Sequence, residues 1–83
     1  MGKCDQTLEA VFAIPTKSNI PFADIETLII SLGGEVREGK ESAVVFELHR
    51  RRLFPHRPHP QKEAKRYQVE KIRQLLQSVG VKP

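Results

Sequence analysis

At Gly33-Gly34 the spacing of the apolar residues changes, and that change limits the fold more than any other feature of the chain. Before it, Phe22, Ile25, Leu28, Ile29 and Leu32 recur at intervals of three and four, the stripe of an amphipathic helix. Pro21 suits the first turn of that helix, where its missing N–H has no partner to lose, and Asp24 and Glu26 sit near the positive end of the dipole. After the glycines, Val44, Phe46 and Leu48 alternate with Ala43, Val45 and Glu47, so Ser42 to Leu48 reads as a half-buried strand. The glycines themselves supply the left-handed stop between the two regimes.

The remaining elements follow by the same rules. Leu8, Val11 and Phe12 form one helical stripe, predicting a short helix over roughly residues 4 to 13 that ends before Pro15. Pro15 to Pro21 is a loop, Glu35 to Glu38 a strand, and Gly39-Lys40-Glu41 a turn. A turn at His49 to Arg51 leads to a third strand, Arg52 to His56; it lacks the Gly or Asn that a tight hairpin prefers, so it is either longer or strained. Pro55, Pro58 and Pro60 exclude regular structure through Phe54 to Pro60. Val69, Ile72, Leu75, Leu76 and Val79 mark a final helix that Gly80 stops. The predicted fold is α+β, in the order α-α-β-β-β-α, with helices on one face of a three-stranded antiparallel sheet. Phe22, Phe46 and Phe54 fall on core stripes, so no aromatic stacking platform is expected; Tyr67 could stack, with packing in the helix core as the reading preferred.

A chain of 83 residues holds one domain, residues 1–83, with a small core. Its 39% hydrophobic and 29% charged residues set it apart from disordered tails. No apolar run approaches the roughly 20 residues of a membrane span and no secretion signal is legible, which predicts a cytoplasmic protein. Cys4 is the single cysteine, so no internal disulfide can staple the core. The net charge of +4 hides an asymmetry. From His49 to Arg73 there are nine Lys/Arg against two acids, a net +7, whereas the other 58 residues carry five against eight, a net −3. Such a basic region favours a polyanion, nucleic acid above all, with a solvated face kept basic for solubility as the alternative.

Phe54-Pro55-His56-Arg57-Pro58-His59-Pro60 is the most unusual segment, with two imidazoles three residues apart and a guanidinium between them. Cleaving RNA without a metal needs a base for the 2′-OH proton, an acid for the 5′ leaving oxygen and a cation for the phosphorane; His56, His59 and Arg57 can fill those roles. Histidine suits them because its ordinary pKa of about 6.5 leaves both protonation states available near neutrality. The alternative is structural: His56 ends a strand and the prolines form a rigid connector. A zinc site at His56 and His59 has too few ligands, because only Glu63 lies nearby, so neither metal nor other cofactor is expected. His49-Arg50-Arg51-Arg52 makes a cationic hairpin tip whose guanidinium forks match phosphate oxygens, and Lys62, Lys65, Arg66 and Arg73 carry the positive surface into the last helix.

Thr7-Leu8-Glu9-Ala10-Val11-Phe12, Ile20-Pro21-Phe22-Ala23-Asp24-Ile25-Glu26, Ser42 to Phe46, His56-Arg57-Pro58-His59-Pro60 and Leu75-Leu76-Gln77-Ser78-Val79-Gly80 together resemble the HicA family of type II toxins, over about residues 7 to 83. The resemblance implies an mRNA interferase with a double-stranded-RNA-binding-domain-like fold that cleaves RNA without metal and is neutralised by a HicB antitoxin. The first helix is then an N-terminal addition to an α-β-β-β-α unit. One departure stands out. Many members carry Gly-Ser-His at the start of the middle strand, the histidine being catalytic, and a gapless reading places Glu41-Ser42-Ala43 there. Either the chemistry has moved to His56 or His59, with His59 the first candidate because it lies outside the strand, or the protein is a non-catalytic double-stranded RNA-binding module. A third reading has the basic face docking an acidic antitoxin.

Overall fold

The computed structural model describes residues 2–83, and its elements run α1 (Lys3–Phe12), α2 (Phe22–Ser31), β1 (Glu35–Glu38), β2 (Val44–Leu48), β3 (Arg51–Leu53) and α3 (Arg66–Ser78). The α-α-β-β-β-α order is the one the periodicities predict. Gly33, at φ +89°, ends α2: its N–H donates to the Ile30 carbonyl and that of Gly34 to the Ile29 carbonyl, the paired bonds of a Schellman stop. Gly80 and Val81 repeat the pattern on Gln77 and Leu76 at the end of α3. Gly34 is needed for a second reason, because a Cβ there would stand 2.6 Å from the Glu47 carbonyl oxygen. The glycine pair therefore both stops the helix and lets the chain pass close against β2.

The three strands pair antiparallel in the order β1-β2-β3, with Val36 opposite Phe46 and Phe46 opposite Leu53. Val44, Phe46 and Leu48 are wholly buried on the inner face, against Ile25, Leu28 and Ile29 of α2 and Val69, Ile72 and Leu76 of α3. Phe22 and Phe46 stack with ring centroids 5.7 Å apart. Helix α1 touches α2 and α3 and not the sheet, so it forms a third layer across their backs. Among the described residues no helix is long and apolar enough to cross a membrane.

Two local readings change and one open alternative is decided. The third strand ends at Leu53 rather than His56, because Pro55 accepts a bond from the Val44 N–H but has no N–H to return. Pairing resumes at a single bridge between Ala43 and His56. The β2–β3 turn takes the strained form, two residues long, with His49 at φ +50° and Arg50 at φ +68°. Phe54 and Tyr67 are not core residues: they are 62% and 52% exposed. Phe54 takes the outward position opposite Val45 in the β2–β3 register, and Tyr67 lies on a face of α3 away from the Val69-Ile72-Leu76 stripe.

Arg73 is also placed differently from expectation. Its Nε donates to the Val11 carbonyl at 2.9 Å, and one terminal nitrogen donates to the Ala13 carbonyl at 3.2 Å and to Thr16 Oγ1 at 2.9 Å. These bonds satisfy carbonyls at the end of α1 and dock it on α3, a structural use of a side chain expected to face RNA. Arg73→Ala is expected to lower stability by about 2 kcal/mol in denaturant unfolding, the loss of charge-assisted bonds.

Candidate functional site

The register of the sheet decides which side chains meet. Ala43 and His56 are direct cross-strand partners, bracketed by the bonds from Val44 N–H to the Pro55 carbonyl (2.8 Å) and from Arg57 N–H to the Ser42 carbonyl (2.9 Å). That arrangement makes them a non-hydrogen-bonded pair, the closer of the two antiparallel spacings, with Cα atoms about 4.5 Å apart and side chains on the same face. The imidazole of His56 therefore stands beside the Cβ of Ala43. Its Nδ1 lies 3.4 Å from Ser42 Oγ.

The backbone of His56 is held from the opposite side. Gln68, 5% exposed, donates from Nε2 to the His56 carbonyl at 2.7 Å and accepts from the Lys65 N–H at 2.9 Å. One buried amide thus satisfies the first turn of α3 and ties it to the histidine. Gln68→Leu keeps the bulk and orphans the His56 carbonyl; it is expected to destabilise the fold by about 1 to 3 kcal/mol. It should also depress any RNA cleavage that depends on His56 more than it depresses RNA binding, which single-turnover kinetics and a binding titration would separate.

Two cavities lie along the β3–α3 border and share Leu53 and Lys71. The first, about 660 Å³, is lined by Arg50, Arg51, Arg52 and Lys71, with no acid among its described lining residues. The second, about 390 Å³, is lined by Phe54, His56, Tyr67 and Lys71. Together they form one groove, cationic at the hairpin tip and aromatic at the histidine. On its α3 wall Tyr67, Lys71, Gln74 and Ser78 recur at helical spacing.

His59 lies elsewhere, lining a separate cavity of about 380 Å³ with Glu26, Arg57 and Lys62. None of the cavities described holds both His56 and His59. Arg57 is engaged by two carboxylates, Glu38 and Glu26, the latter at 2.5 Å. Hydrogen bonds to Glu38 and then Glu26 raise its pKa above the ordinary arginine value. A guanidinium so paired braces the proline-rich loop against α2 and β1, and serving a phosphorane would require it to give up those partners. Arg52 lies 3.8 Å from Glu47, an exposed pair that holds it weakly. Lys65 and Arg66 are exposed at the start of α3, outside these three cavities. Among the described residues no three His, Cys, Asp or Glu side chains converge as a metal site would require.

Sequence reasoning gives Gln68 and Lys71 no role in a site and assigns Phe54 and Tyr67 to packing. Gln68 carries a signal: a polar residue inside an otherwise apolar stripe, at the third helical position, where Gln caps a helix start. Phe54 carries none, because its exposure depends on the register, whereas the place of Tyr67 off the Val69-Ile72-Leu76 stripe is a signal that helical spacing holds.

A three-stranded antiparallel sheet with helices on its inner face, in α-β-β-β-α order after α1, and a cation-lined groove at its edge define a small basic α+β domain compatible with the double-stranded-RNA-binding-domain-like class. Comparison with family models places it more closely. The model described as HicA toxin of bacterial toxin-antitoxin systems matches residues 22–81, and the chain belongs to that family. The match begins at the first residue of α2, so α1 precedes it. Searches of curated proteins and of solved structures return no match.

Proposed function

We propose that the protein is the toxin of a type II toxin–antitoxin pair, a cytoplasmic mRNA interferase that cleaves RNA without metal and is neutralised by a HicB-type antitoxin. The observation that carries this reading is the Ala43–His56 bridge. HicA resemblance sets the reacting histidine two residues into the Gly-Ser-His segment, where this chain has Ala43, and the strand pairing returns an imidazole to the same face from His56. His56 therefore replaces His59 as the favoured catalytic residue. Ser42, present in both patterns, is the nearest partner for its Nδ1.

In this mechanism Nδ1–H donates to Ser42 Oγ, leaving the Nε2 lone pair to accept the 2′-OH proton. The 2′ oxygen attacks phosphorus, the bond to the 5′ oxygen breaks, water protonates the leaving oxygen, and the hydroxide so formed takes the proton back from the His56 imidazolium. Lys71, in the same groove, replaces Arg57 as the cation facing the phosphorane. Arg50, Arg51 and Arg52 hold phosphates further along the strand. The same cationic surface offers an acidic antitoxin a way to occlude the groove and to support a small core.

The test is incubation of purified protein with RNA in excess chelator. Products ending in a 2′,3′-cyclic phosphate are expected. Intact RNA, bound with strong salt dependence and preferring duplex, would instead select the non-catalytic duplex-binding module.

A further inference from the structure

Two large aromatic side chains stand exposed at one end of the groove, and neither packing nor the proposed proton transfer accounts for them. Phe54, from the segment after β3, and Tyr67, from α3, both line the 390 Å³ cavity, together with His56 and Lys71. Isolated apolar exposure is ordinary, but two rings sharing a cavity beside a run of cations are a more specific arrangement. Leu53 and Pro55 extend the apolar wall, and the volume falls within the range of small-ligand sites. Charge and the rings decide the class of occupant: among the described lining residues the ionic groups are all cationic, so what fills the groove is apolar and planar against the aromatics and anionic against the cations.

We propose that this end of the groove is a stacking site for an unpaired nucleobase of an RNA strand, whose flanking phosphates lie on Lys71 and the arginine hairpin. The inference rests on the RNA-cleaving reading and names its substrate class, single-stranded RNA. Every base offers a π-face to such a ring, so the site is tolerant of sequence. A duplex keeps its bases stacked on one another and gives the rings nothing to meet. The imidazole of His56 borders the stacked nucleotide, which brings binding and chemistry to one place.

Tyr67 is the only tyrosine of a chain without tryptophan, so the intrinsic fluorescence of the full-length protein reports on this ring alone. Titration with a short 2′-O-methyl oligonucleotide, which binds as RNA does but has no 2′-OH to react, should quench that emission after correction for nucleotide absorbance. The same sequence as a duplex should leave it unchanged. Phe54→Leu and Tyr67→Leu should each weaken single-strand binding by at least about 5-fold in fluorescence anisotropy, and Tyr67→Trp should retain it. Both rings are exposed, so these variants fold. Single-strand binding with unaltered Tyr67 emission, or leucine variants that bind as the wild type does, would overturn the stacking site. Because this oligonucleotide cannot be cut, the outcome is independent of whether the protein cleaves RNA.

Discussion

Replacing His56 with alanine is expected to slow RNA cleavage by roughly 10²- to 10⁴-fold, the range for removing a general base, while affinity for uncleavable RNA stays near that of the wild type. The side chain is exposed and its one polar partner is Ser42 Oγ, so the loss should be chemical rather than structural. His59→Ala should leave the rate close to wild type, because His59 opens on the cavity at α2 and not on the groove. The sharper experiment exploits the bridge. Cross-strand neighbours on one face hold their Cβ atoms about 5 Å apart, so a histidine at position 43 can bring its ring to the place that His56 occupies. The double variant Ala43→His/His56→Ala should regain a measurable part of the lost activity, whereas His56→Ala with a histidine at an unrelated exposed position should not. Full activity in His56→Ala, or loss in His59→Ala alone, would transfer the chemistry away from the bridge.

That bridge marks the boundary of what the chain reveals before it folds. Helix α2, its glycine stop and the inner face of β2 are legible because their causes are local: a period, a φ that only glycine takes freely, an alternation. The hairpin is legible only in part: the absence of Gly or Asn leaves a longer or a strained turn, and the backbone at His49 and Arg50 takes the strained one. The site belongs to another scale. Ala43 and His56 are far apart along the chain, and nothing local at either position specifies that they face one another; the register does, set by the inner-face residues of β2 and β3. Phe54 reads as a core residue because it lies inside the predicted strand Arg52 to His56, yet one position of alternation separates the inner from the outer face. Leu53 took the inner position opposite Phe46, so Phe54 faces solvent. The charge count suffers similarly. Arg57 and Arg73 contribute to the +7 of the basic region, but one is spent on two carboxylates and the other on the carbonyls of α1. The groove keeps Arg50, Arg51, Arg52 and Lys71.

Those hairpin cations give the second large effect. Changing Arg50, Arg51 and Arg52 together to alanine removes the three proposed phosphate contacts, each worth about 0.7 in the slope of log K against log salt for a single strand. The slope should fall by about 2, and affinity at about 0.1 M salt by roughly 100-fold. Arg52 contributes despite Glu47, since an exposed pair at 3.8 Å is easily exchanged for a phosphate. The turn itself separates a binding role from a folding role. His49 and Arg50 both occupy left-handed backbone that Asn and Gly accept at lower cost, so the chain keeps a strained turn where a relaxed one is available. His49→Asn/Arg50→Gly should therefore raise stability by roughly 1 to 2 kcal/mol, several degrees in the melting temperature of a domain this size. The same substitution removes a cation from the groove and should weaken RNA binding several-fold. A variant that melts higher and binds less tightly would explain why arginine stands where glycine fits better; equal binding would return the hairpin to the role of a solvated tip.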